Sequence, residues 1–135
     1  MLLVKTKLGK SSIEGIGLFA DQFIPVGTIV WEFTPELDIV ISERELDRLP
    51  DLVRRYFLRY TYLNARDKRY ILSLDDARFQ NHSEHPNLVS LETPNQPEPI
   101  DVAARDIFPG EELTTNYKSF DHDFRRKLAR PVVQE

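Results

Sequence analysis

The chain contains no cysteine, which excludes disulfides and thiolate metal sites. It has three histidines, His82, His85 and His122, and their spacing matches no metal-ligand pattern, so no metal is expected. No apolar run approaches the ~20 residues that cross a bilayer, so no membrane role is expected. The opening MLLVKTKLGK has too short an apolar stretch for a secretory signal. The expected address is intracellular: cytoplasmic, or nuclear if the protein acts in a eukaryotic cell. A surplus of basic charge is also missing, with 18 Lys and Arg against 22 Asp and Glu and a net charge of −4. Duplex nucleic-acid binders carry a basic stripe, so no direct nucleic-acid contact is expected. The basic residues from Arg54 to Arg69 read as a solvated face. A mildly acidic domain suits a cationic partner such as a lysine-rich peptide.

What remains is an ordinary globular composition, with 41% hydrophobic and 30% charged residues in 135 positions. That length fits one domain, residues 1–135, able to bury a core. Short extended segments dominate. Leu2 to Lys7, Phe19-Ala20, Thr28 to Phe33, Leu37 to Ile41, Tyr70 to Leu74, Asn87 to Glu92, Ile100 to Ile107 and Leu113 to Tyr117 read as strands. In Thr28 to Phe33 the alternation puts Ile29, Trp31 and Phe33 on one face and Val30 and Glu32 on the other. A helical insert over about 42–66 interrupts them. It opens on the capping box Ser42-Glu43-Arg44-Glu45. A second helix from about Asp51 to Asn64 follows, with Tyr56, Phe57 and Tyr60 expected in the core. Asp121 is placed to cap a last helix over about 121–130, ended by Pro131, with Phe120 and Phe124 near its start. The sum is β-rich α+β.

Four features carry polar chemistry. Gly15-Ile16-Gly17 is a small-residue turn. Arg78-Phe79-Gln80-Asn81-His82-Ser83-Glu84-His85-Pro86-Asn87 is dense in side chains that bond their own backbone. Gly110-Glu111-Glu112-Leu113-Thr114-Thr115-Asn116-Tyr117 offers two carboxylates, but neighbours on a strand face opposite ways, so they cap, bridge or face solvent. The fourth is the aromatic load of the second helix. Each has a bland explanation by itself: a hairpin turn, a tied loop, surface charge, core.

Together and in this order they resemble the SET-domain family of protein lysine methyltransferases. Gly15 to Ala20 and Ile24 to Phe33 resemble its first motifs. Ala77 to Ser83 with Pro86-Asn87 is similar to its RFxNHSxxPN signature, and Ala104 to Ile107 leading to Gly110 to Thr114 and Tyr117 is similar to its last motif. The resemblance implies a β-clip-like fold of small sheets in which the Asn116-Tyr117 segment threads, knot-like, beside the Asn81-His82 loop. It implies S-adenosylmethionine as cofactor and a lysine-containing protein, a histone or another basic protein, as substrate. By resemblance the cofactor would be held by Ile16, Gly17, Arg78, Asn81, His82 and Tyr117, with Phe120 or Phe124 over its adenine. The lysine channel would be lined by Phe33, Phe79, Thr115 and Tyr117, and Tyr117 would be the catalytic tyrosine.

The sequence also departs from the family pattern. Glu84 stands where a cysteine is usual, and the cysteine-rich zinc segment is missing, as in small viral and bacterial members. Phe120 to Arg130 would then close the channel alone or by pairing in a homodimer. Phe33 stands where many members have a channel tyrosine. Thr115 stands where a larger aromatic often limits methyl number, so di- or trimethyl-lysine is expected to fit. The competing expectation is an inactive SET-fold module that binds peptide or cofactor without transfer.

Overall fold

The computed structural model describes residues 1–129. Its strands are short and its four small sheets are separate. β1 (Thr6–Lys10) and β2 (Ile16–Ala20) form an antiparallel hairpin in which Gly9 faces Gly17. The first strand thus lies later than the alternation of Leu2 to Lys7 predicts. Leu2 only bridges Trp31, and Leu2 and Val4 pack on the core, which explains their pattern.

β3 (Ile29–Trp31) follows, then β4 (Ile39–Ser42), α1 (Glu43–Asp47) and α2 (Asp51–Tyr60). The capping box forms as expected: Ser42 Oγ accepts the Glu45 N–H at 3.1 Å, and the Glu45 carboxylate accepts the Ser42 N–H at 2.8 Å. α2 stops four residues before its predicted end. Thr61 turns extended, and both its N–H and its hydroxyl donate to the Phe57 carbonyl, at 2.9 and 2.7 Å. Beyond it β5 (Tyr62–Leu63) pairs with β6 (Arg69–Leu72), which also pairs with β4. Sheet pairing therefore overrides the helical spacing of Leu63 and ends the predicted helix before Tyr62. The expectation that α2 buries its aromatic face is also corrected. None of its residues is buried, and Tyr56 is 43% exposed.

A 3-10 turn over Asp76–Phe79 leads to β7 (Asn81–His82), β8 (Leu88–Leu91), β9 (Ile100–Ala103) and β10 (Thr114–Thr115). β9 lies between β3 and β8, antiparallel to both. The alternation expected in β3 breaks at a register shift between Ile29 and Trp31. Val30 and Trp31 are both buried and Ile29 is exposed, as a bulge allows. β7 and β10 pair in parallel, Thr114 with Asn81 and Thr115 with His82. Thirty-odd residues separate them, so the pairing brings the C-terminal stretch beside the Asn81-His82 segment. The core gathers Leu18, Ala20, Ile24, Val30, Leu88, Ala103, Ile107 and Leu113 from these strands and the turns between them.

The last helix, α3 (Phe124–Leu128), has Asp123 at its N-cap position without a side-chain cap. Asp121 is not the cap. It is fully buried, and its Oδ1 accepts the N–H of Leu63 at 3.0 Å and of Asp123 at 2.9 Å. It ties the final segment to β5 instead. The expected ends of the helix at Arg130 and Pro131 lie outside the described residues. Among the described residues no helix is long and apolar enough to cross a membrane.

Candidate active site

Two cavities share a common wall. The wider, of about 430 Å³, runs along Glu14, Gly15 and Ile16, past Phe79 and Asn81, and between Arg55, Arg59, Arg78 and Arg126. The narrower, of about 70 Å³, is walled by Trp31, Tyr62, Thr115 and Phe120, with Ser90 and Asp101 among its polar groups. Arg59, Tyr60, Arg78, Gln80, Tyr117 and Lys127 border both.

The wide cleft is built on a polar junction. The Asn81 amide donates to the carbonyls of Glu14 (3.1 Å) and Ile16 (3.4 Å) and to Glu112 Oε1 (3.0 Å). Glu112 also accepts the Ser11 hydroxyl at 3.0 Å. It therefore bridges, as one reading of the paired glutamates expects, and Glu111 caps: it accepts from Phe108 N–H at 2.5 Å and from Arg105 at 2.9 Å. Gly17 lies over the Glu112 carboxylate. A Cβ there would sit 2.9 Å from Glu112 Cδ, so this glycine admits the close approach of a side chain. Its neighbour Ile16 is exposed at the cleft rim.

His82 does not face either cavity. Its Nδ1 accepts the Tyr117 N–H at 3.1 Å, and its Nε2 lies 3.2 Å from Glu84 Oε1. Glu84 also accepts Lys118 Nζ at 2.7 Å, and the bonds to Lys118 and then His82 hold its carboxyl below the usual range. His82 thus positions Tyr117 through the backbone. Arg78 borders both cavities but is anchored: its guanidinium donates to the carbonyls of Leu74 (2.6 Å) and Asp75 (3.3 Å) and to the Tyr56 hydroxyl (2.7 Å).

The Tyr117 hydroxyl donates to the Gln80 carbonyl at 2.5 Å. Burial first, then the charges of Asp121, Glu14 and Glu112, push its pKa well above the ordinary tyrosine value, so it stays protonated. The narrow cavity is lined with rings in edge contact. Trp31 and Tyr62 lie 6.4 Å apart between centroids, Tyr62 and Phe120 5.4 Å, and Phe120 and Tyr117 6.0 Å. The Tyr62 hydroxyl donates to Glu98 at 2.7 Å, and burial raises its pKa strongly. Thr115 is buried, and its hydroxyl and Trp31 Nε1 have no partner. Orphaned polar atoms around one cavity mark a place where a ligand or water completes the bonding. Asp101 accepts the Ser90 hydroxyl at 2.7 Å, yet burial lifts its pKa to about 6.

The expected site residues are therefore partly assembled. Ile16, Arg78, Asn81, Phe79 and Tyr117 border the wide cleft, with Gly17 beneath its rim; Thr115 and Tyr117 border the narrow cavity. Phe79, expected in the channel, stands on the wide side. Phe120 lines the narrow cavity. Phe124 faces a third hollow with Asn64 and His122. Phe33 borders none of these three. Trp31, Tyr60, Tyr62, Gln80, Asp101 and Lys127 were not singled out in the sequence as site residues. Among the described residues, no group of three or more His, Asp or Glu is placed to hold a metal.

A family model for the SET domain matches residues 15–118, the span that carries Asn81, His82, Glu112, Thr115 and Tyr117. The chain belongs to the SET-domain family of protein lysine methyltransferases. It is 33% identical over 116 residues to the Schizosaccharomyces pombe histone-lysine N-methyltransferase specific for H3 lysine-4, covering 82% of this chain and 12% of that protein. It is 30% identical over 127 residues to the Drosophila melanogaster histone-lysine N-methyltransferase trr, covering 90% of this chain and 5% of that protein. The SET domain described here thus spans a small part of these curated relatives. Among solved structures it is similar to a humanized mutant of the Chaetomium thermophilum Polycomb Repressive Complex 2 bound to an inhibitor. That match has a TM-score of 0.62 at 29% identity and covers 91% of this chain and 16% of that one. A Plasmodium falciparum protein, 22% identical with a TM-score of 0.59 over 86% of this chain and 95% of its own, shares the fold. The β-rich SET fold expected from the motifs is the observed one.

Proposed function

We propose that this SET domain transfers a methyl group from S-adenosylmethionine to the side-chain nitrogen of a lysine in a basic protein, a histone among the candidates. The observation that carries this reading is that the wide cleft and the narrow ring-lined cavity share a wall that includes Tyr117, with Arg59, Tyr60, Arg78, Gln80 and Lys127 beside it. The wide cleft fits the cofactor's chemistry: exposed main chain at Glu14 to Ile16, the apolar faces of Ile16 and Phe79, and guanidinium groups for a carboxylate. When bound, the cofactor supplies an electrophilic methyl on a positively charged sulfur.

The chain's own residues do the rest. The rings of Trp31, Tyr62, Phe120 and Tyr117 sheath the apolar stem of a lysine and face its head with π-density. A free lysine has a pKa of about 10.4 and attacks only when neutral. A dry cavity disfavours its charged form. Tyr117 already donates its proton to Gln80, so its oxygen is left to accept an amine N–H and aim the nitrogen. Alignment of this kind supplies much of the rate.

The test is methyl transfer from labelled S-adenosylmethionine to a mixture of lysine-rich proteins, with Tyr117→Phe beside it. Label on lysine in the wild type and at least a ~100-fold loss in the variant are expected, the scale of losing one oriented group at the reacting atoms. Cofactor binding by calorimetry without transfer to any acceptor would favour a binding module. Absence of cofactor binding would overturn the reading.

A further inference from the structure

Lys127 is the penultimate residue of α3, and its side chain is only 13% exposed. The two basic residues before it behave differently. Arg126 pairs with Asp123, and Arg125 lies over the Phe124 ring. Lys127 instead runs inward, borders both cavities, and brings Nζ to 5.3 Å from the centroid of the Tyr117 ring. There it pairs with the buried Asp121 at 2.8 Å and donates to the Thr61 carbonyl. A buried ion pair stabilises little against an apolar pair of the same volume, so stability alone does not account for a lysine at this point. Burial, opposed by Asp121, lowers its affinity for a proton, which moves it toward the nucleophilic form.

We infer that Lys127 is an intramolecular substrate of this domain, a lysine presented by α3 to the Tyr117 end of the channel and methylated there in cis. The inference rests on the proposed methyl transfer and adds the acceptor. The neutral Nζ, released from Asp121 after giving its proton to solvent, donates its lone pair to the methyl carbon of S-adenosylmethionine. The N–C bond forms as the S–C bond breaks, its electron pair stays on sulfur as a neutral thioether, and the product is a methylammonium. That product keeps its charge toward Asp121 but has one N–H fewer for the Thr61 carbonyl. An external lysine must displace Lys127 to reach the same point, so the two acceptors compete.

The experiment incubates the full chain alone with S-adenosylmethionine over a wide dilution series, and in parallel with a lysine-rich acceptor protein. Intact mass and fragment mapping follow. The expected result is methylation mapped to Lys127, at a rate per molecule that does not change on dilution. The signal should be lost in Tyr117→Phe and in Lys127→Arg; mapping of the wild type keeps the result independent of how either variant folds. A methylated acceptor with an unmodified Lys127 peptide would overturn this inference and leave the proposed function standing. A rate that rises in proportion to protein concentration would overturn the cis route. No methyl on either protein would remove both.

Discussion

Gly17→Ala tests whether the floor of the wide cleft is held by the Glu112 junction. The new Cβ would stand 2.9 Å from Glu112 Cδ and 3.1 Å from Ser11 Cβ, and closer still to Glu112 Oε1. The carboxylate must move, and it cannot do so without losing Asn81 Nδ2 and Ser11 Oγ, each 3.0 Å away. Overpacking costs about 1–3 kcal/mol, and each hydrogen bond to a charged group is worth about 1.5–3 kcal/mol. A net loss of about 2–4 kcal/mol is expected, because alanine in a strand recovers ~0.5–1 kcal/mol over glycine. Glu112→Ala removes the obstacle together with the bonds. It should cost about 1–3 kcal/mol, since Asn81 keeps the Glu14 and Ile16 carbonyls. In that background Gly17→Ala should be neutral or stabilising. The double mutant should therefore be more stable than the two single costs predict, by about 2 kcal/mol or more. Urea unfolding followed by the fluorescence of the only tryptophan, Trp31, measures all four corners of the cycle. Additivity within ~0.5 kcal/mol would refute the claim that Glu112 is why position 17 is glycine.

Asp101→Asn should stabilise the domain at neutral pH. Asp101 has a folded-state pKa raised to about 6 by burial, so the native state holds its proton more tightly than the unfolded chain. Stability from this group is complete below the unfolded value of about 3.9 and is lost as pH rises to about 6, on the order of 3 kcal/mol. The asparagine variant should lack that slope in melts between acid and neutral pH; an unchanged slope would remove Asp101 as its source. Tyr117 and Tyr62, both with raised pKa values, make the fold lose stability as pH climbs past about 10, and Tyr117→Phe should shrink that loss. Thr115→Tyr should convert a product carrying two or three methyls into monomethyl-lysine, read by mass spectrometry. Strict monomethylation by the wild type on a good acceptor would refute the spacious-channel argument.

The fold was legible where local chemistry and tertiary structure agree. The Ser42–Glu45 box needs only residues three apart, and it formed. The parallel pairing of β7 and β10, which puts His82 Nδ1 on the Tyr117 N–H, is a long-range feature that no periodicity reveals; the expectation that these segments lie side by side comes only from the resemblance of the motifs to a family. Where the local signal competes with the sheet, the sheet wins. Leu63 keeps helical spacing with α2, yet it and Tyr62 pair with β6. Val30 and Trp31 alternate in sequence yet share burial across a bulge. Asp121, well placed as a cap by sequence, is spent on β5 and Lys127.

The site was legible only in part, for a related reason. Ile16, Asn81 and Tyr117 lie in short segments that carry the motifs resembling the family, so they are readable from the sequence alone. The narrow cavity instead draws Trp31 from β3, Tyr62 from β5, Asp101 from β9, and Lys127 from α3. In sequence each of these looks like core, strand edge or surface charge. The aromatic load of α2 shows the consequence. Tyr60 has the spacing of a core residue, but the elements around it leave a hollow, so its ring meets Phe79 at 5.3 Å and borders both cavities. A helix with an apolar stripe and no buried residue is therefore evidence for a neighbouring site, because the stripe needs something to cover it. Part of that cover is the hollow itself, and part is the segment bearing Lys127, which places the acceptor question and the folding question on the same few residues.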